Sequence, residues 1–146
     1  MSKVVQAFLT GVFFTFFLDF FLFLGIKLHY IDFYEIDVYY NSLFADHQNI
    51  YIYTFFTILF GFLITYVEHV KTNIILIGGL FFLALSTLIA PVGFQIGHFI
   101  LSQKNVTFED DRYTYIGDIY YDGREKITFY DYEVKKIILI NKKDLK

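Results

Sequence analysis

One aspartate stands among seven phenylalanines in Phe13–Phe23, FFTFFLDFFLF, and a carboxylate has few chemical uses in so apolar a setting. An ionised acid near the middle of a bilayer costs at least about 2.5–3.5 kcal/mol, so it either handles a proton or cation or is bound by donors on another helix. Placed on a helix, Ala7, Gly11, Thr15 and Asp19 fall every fourth residue along one side, and the phenylalanines cover the rest. Two further apolar stretches carry seams of the same kind: Thr57, Gly61 and Thr65 in one, and Ser86, Ala90, Gly93 and Gly97 in the other. Lipid tails are as apolar as Phe, so helices meet in a bilayer through close backbone contact and polar bonds, which small and hydroxylated residues allow. The expected partners of Asp19 are Thr57, or Gln95 across tilted helices. The residues to watch are therefore Asp19, Thr15, Gly11, Thr57, Gly61, Gln95, Gly93 and Gly97, read as intramembrane polar and partner-binding positions.

Other chemistry finds little foothold. There is no cysteine, which removes thiolate nucleophiles, disulfides and Cys-based metal sites together. His29, His47 and His98 map to one membrane face with Asp32, Glu35 and Asp46 nearby, but their spacing fits no ligand motif and His69 lies on the opposite face. Ser2, Ser42, Ser86 and Ser102 lack a GxSxG setting, and no phosphate-binding glycine loop or HExxH pair occurs. The expectation is a chain that is not an enzyme, with no catalytic residue, no metal site and no cofactor. A net charge of −3 without a basic stripe gives no footprint for nucleic acid.

The elements that must position these residues are set by composition. In 146 residues, 56% are hydrophobic and 23% aromatic, a bias that belongs to the bilayer rather than to a soluble domain. With 13 Tyr and no Trp, any interfacial belt is made of tyrosine. Val4–Ile26 is 23 residues, roughly 34 Å as helix, and covers a hydrocarbon core of about 30 Å as an uncleaved span. Ile50–Val67 is the second span, bracketed by Tyr51, Tyr53 and Tyr66. Asn73–Leu101 is the third, long enough to require tilt or a kink at Pro91. The short turn EHVKTN makes spans two and three antiparallel neighbours. Between spans one and two, residues 27–49 place Phe33, Ile36, Tyr40 and Leu43 opposite Asp32, Glu35 and Asp46, which predicts an acidic amphipathic helix lying on the surface.

From Ser102 the period changes to two. RYTYIGDIYYDGREKITFYDYEVKKIILINK alternates, and Asp122-Gly123 suits a two-residue hairpin turn that would set Ile116 opposite Phe129 and Tyr115 opposite Tyr130. Val134–Ile140 supplies a third strand, and Gln103–Asp111 reads as a linker. Three short strands bury too little to stand alone, so the sheet is expected to dock on the acidic connection, on headgroups or on copies of itself. The fold class that follows is an α-helical integral membrane protein, with a three-helix transmembrane domain over 1–101 and a small antiparallel β-rich tail over 102–146. Lys27, Lys104 and Arg112 on one side stand against Lys3, Lys71 and the terminal amine on the other, a near balance read as a cytoplasmic tail in a bacterial inner membrane. The implied function is a non-catalytic accessory subunit or assembly factor of a larger membrane complex. Its partners would be membrane lipid and another membrane protein or a homo-oligomer. The alternative is a homo-oligomeric channel or transporter with Asp19 in the pathway.

Overall fold

The computed structural model describes residues 2–110 and 113–145. Among these residues the chain forms five α-helices followed by a four-stranded antiparallel sheet. Helix α1, Lys3–Ile26, starts on the Ser2 hydroxyl, which accepts from the Val5 amide, and runs on through a π turn at Lys27–Ile31. The continuous rod Lys3–Ile31 is the one described helix that is long and apolar enough to cross a membrane, with 29 residues that include an 18-residue stretch of mean hydropathy 2.1. Two bent pairs follow. Helix α2, Tyr40–His47, meets α3, Ile50–Tyr66, at 86°, and α4, Val70–Ser86, meets α5, Ala90–Leu101, at 92°. The longer helix of each pair, α3 or α4, has 17 residues, and each pair taken together is long and apolar enough to span.

The third apolar stretch is thus not one tilted helix. It breaks at Thr87–Ile89, where the amides of Thr87, Leu88 and Ile89 bond back three residues, to Ala84, Leu85 and Ser86. Pro91 explains the break. It has no amide hydrogen to give to the Thr87 carbonyl, and it stands in the first turn of α5, where that donor is not needed. The surface helix expected over 27–49 is also cut down. The first helix consumes the start of the segment, residues 32–35 turn with Glu35 at φ 54°, residues 36–39 are irregular, and only α2 remains helical. A pattern at 3.6-residue spacing cannot overcome a left-handed residue in its middle.

The sheet consists of β1 (Gln103–Glu109), β2 (Thr114–Asp122), β3 (Lys126–Asp131) and β4 (Lys136–Asn141), in that spatial order. The segment read as a linker is strand β1, and Ile116 and Tyr115 face Thr107 and Phe108 on it. Asp111 and Arg112 lie outside the described residues. The central hairpin pairs Ile119 with Phe129 and Asp118 with Tyr130, three residues along β2 from the expected register. Asp122 pairs with Ile127 and the Gly123 amide donates to the Lys126 carbonyl at 3.0 Å, so the turn falls on Arg124-Glu125 rather than Asp122-Gly123, and a bulge falls between Ile119 and Tyr121. The expected third strand starts later: residues 132–135 turn, with Lys135 at φ 55°, before β4. Ile119, Ile127, Phe129 and Ile140 form the core of the sheet, and a bridge from Asp110 to Leu145 ties its two ends together.

Candidate functional site

The small-residue seams meet inside the chain. A methyl group placed on Gly11 would fall on the Thr57 carbonyl oxygen, and one on Gly61 would fall on the Ala7 carbonyl oxygen, so α1 and α3 run backbone against backbone. One turn beyond the Gly11 contact, toward Asp19, Thr57 Oγ1 donates to Thr15 Oγ1 at 3.5 Å; Thr15 is fully buried and Thr57 is 4% exposed. Burial of two hydroxyls is tolerable because each is the other's partner. Leu18, Phe60 and Ala84 fill the space beside this seam, with Phe14 and Phe81 packed edge-on.

Asp19 ends the seam but bonds to neither expected partner. Gln48 Nε2, in the short link between α2 and α3, donates to its Oδ2 at 3.1 Å. Two tyrosine hydroxyls bond nearby on the same rod: Tyr40 donates to the Phe20 carbonyl at 3.0 Å and Tyr53 to the Val12 carbonyl at 3.2 Å. Thr57 is taken by Thr15. Gln95 is exposed on α5, and the side-chain bond at Asp19 comes from Gln48 instead. The polar residues singled out in the sequence therefore separate into a buried hydroxyl pair, a carboxylate held by an amide, and a surface glutamine.

The third seam also closes on the chain itself. Thr87, fully buried at the break after α4, donates to the Ala84 carbonyl at 2.6 Å and to the Phe21 carbonyl at 3.2 Å. Side chains at Gly25 and Gly93 would collide with Thr87, and one at Gly97 would collide with Tyr30. His29 Nε2 donates to the Leu88 carbonyl at 2.8 Å, securing the same corner. Thr87, Gly25 and Tyr30 escaped the sequence reading. A glycine four residues before a histidine, opposite a Ser-Thr pair, was the available signal, and it marks a close crossing only once the corner at Pro91 is known.

No family model, curated protein or solved structure matches this chain.

The sheet sits on the helical part through aromatic and charged contacts. Tyr30 OH donates to the Tyr120 carbonyl at 2.9 Å, Tyr34 packs on Tyr120 with centroids 4.3 Å apart, and Tyr121 enters the core made by Phe23, Ile26, Ile31, Leu43 and Leu101. At the rim Arg124 clamps Asp46 with two donors, Nε to Oδ2 at 2.8 Å and Nη2 to Oδ1 at 2.6 Å. The guanidinium holds the Asp46 carboxyl below its usual range. Burial, with lesser help from neighbouring charges, pushes the Tyr120 hydroxyl up to about 12. Lys27 pairs with Asp32 at the foot of this interface.

His29, His47 and His98 do not converge. His47 Nδ1 bonds the Leu43 carbonyl, and His98 stacks on Phe94. Among the described residues no group of three or more His, Asp or Glu side chains is gathered for a metal.

Proposed function

We propose that this chain is an integral membrane protein with α1, α3 and α4 as its crossings, α2 and α5 lying at the surface, and the sheet outside on the side where they lie. Helices α3 and α4 have 17 residues each, about 25 Å, at the lower limit for a crossing. Supporting this are the large apolar side chains that stand exposed along all three, among them Phe8, Phe13, Phe55, Phe62, Ile75 and Phe82. Water penalises such a surface, whereas lipid tails accept it.

Within the membrane we propose a non-catalytic accessory subunit or assembly factor of a larger complex. One observation carries this reading: the small and polar residues that a pathway needs are occupied by the chain's own helices. Thr15 and Thr57 face each other without a gap, Asp19 is held by Gln48, and Gln95 is elsewhere. Partner contacts then fall to the exposed helix faces and the sheet, in the cytoplasm on the lysine count. The channel reading draws only on Asp19 itself.

Purification in mild detergent tests the two readings. Co-isolation of an unrelated membrane protein in fixed ratio supports the subunit, while a homo-oligomer that conducts ions in liposomes overturns it. Asp19→Asn sharpens the contrast, because an amide still accepts from Gln48. Assembly should survive in that variant; altered conductance with assembly intact would establish the pathway instead.

A further inference from the structure

Helices α3 and α4 are joined by a three-residue link, yet they splay, and a cleft of about 590 Å³ opens between them. That volume lies within the range of roughly 300–1,000 Å³ typical of ligand sites. Phe14, Ile64, Ile74 and Ile77 make its walls apolar, and Glu68 stands at the link. Two polar atoms in its lining, Thr65 Oγ1 and Asn73 Oδ1, are buried without a hydrogen-bond partner among the described residues. Buried oxygens are seldom left so.

Both unfilled oxygens can accept, and the Thr65 hydroxyl can donate as well. Asn73 already uses its amide nitrogen, donating to the Leu63 carbonyl at 2.8 Å and the Val67 carbonyl at 2.9 Å, so only its oxygen remains to be bonded. Glu68 has no ion pair among the described residues, and neither His69 nor Lys71 lines the cleft. The cleft thus offers acceptors at its mouth and hydrocarbon within. Its floor is also open in a way no other crossing is. Of nine glycines, only Gly78 and Gly79 have nothing within 4 Å of where a side chain would begin, and Gly78 lines the cleft.

We propose that this cleft holds a bilayer lipid whose headgroup carries a primary ammonium. The ammonium donates to Thr65, Asn73 and Glu68, and an acyl chain lies along Ile74, Ile77 and Gly78. The inference rests on reading α3 and α4 as membrane helices. An ammonium presents three N–H donors, whereas a choline headgroup keeps the charge but has none, which makes the two headgroups a direct comparison.

The full chain is reconstituted in vesicles of equal phosphatidylethanolamine and phosphatidylcholine, washed with carbonate, extracted gently, and weighed with its bound lipid by native mass spectrometry. Bound phosphatidylethanolamine should exceed phosphatidylcholine about tenfold, as donors to a charged site imply. Glu68→Gln, in an exposed link, and Gly78→Phe, which fills open space, should each return the ratio to that of the vesicles. A bound fraction that mirrors the vesicles in the unaltered chain overturns the proposal, as does a preference that persists in both variants. A chain stripped from the vesicles by carbonate overturns the membrane reading itself. Disulfide capture of a second copy through Gly78→Cys, in a protein with no other cysteine, would assign the cleft to an oligomer instead.

Discussion

At the scale of single residues, the glycines divide by what stands opposite them. Gly11 has the Thr57 carbonyl where its side chain would be, so Gly11→Leu must push α3 off α1. The expected cost is about 3 kcal/mol, read as a fall in melting temperature in detergent. Gly79→Ala meets nothing and removes a flexible residue from a helix, so it should be neutral or stabilising by up to about 1 kcal/mol in the same measurement. Equal losses for both substitutions would mean that spacing along the helix, and not contact, governs them. Tyr30 tests a different kind of residue. It is fully buried and its hydroxyl satisfies the Tyr120 carbonyl, so Tyr30→Phe should cost about 1–2 kcal/mol, seen as faster hydrogen exchange in β2. The close approach of α1 and α3 was legible because small residues at i, i+4 spacing need no tertiary information. The Gln48 partner of Asp19 was not. It depends on a corner between α2 and α3 that brings a polar link back over the first helix, and no local pattern encodes that return.

Elements fail to follow the sequence where a backbone feature intervenes. The apolar run through Asn73–Leu101 is continuous to any hydropathy measure, and the kink expected at Pro91 is there but sharper than a bend: Pro91 starts a new helix and α5 leaves α4 at 92°. In the tail, alternation identified β2, β3 and β4, while β1 was hidden by its polar residues: its Gln, Lys and Asn point outward on an exposed strand. The hairpin register slipped because Asp-Gly suggested the turn, whereas the chain bulges after Ile119 and turns two residues later, at Arg124-Glu125. The link between these elements should respond to acid. The Asp46 carboxyl, held by Arg124, sits below its unfolded value, so its contribution is present above that value and is lost as pH falls through the folded one. Sheet docking, followed by proteolysis or hydrogen exchange in the β2–β3 turn, should therefore weaken below about pH 4. Asp46→Asn should loosen the turn already at neutral pH and flatten the profile. An unchanged profile in that variant would assign the acid response to another carboxylate.

Across the whole molecule, the long first helix organises everything else. The seam to α3, the corner at Thr87 and the seat of the sheet all lie along it, and the sheet returns to it from some ninety residues away in the chain, as Tyr30 meets Tyr120. Every group that forms this seat, from Phe23 to Leu101, precedes the sheet in the sequence. During synthesis the helices can thus pack while the strands are still being made, and the sheet arrives last, at a berth already finished. Errors in the tail would then leave the packing of the helices untouched and show only as a dangling, protease-sensitive end.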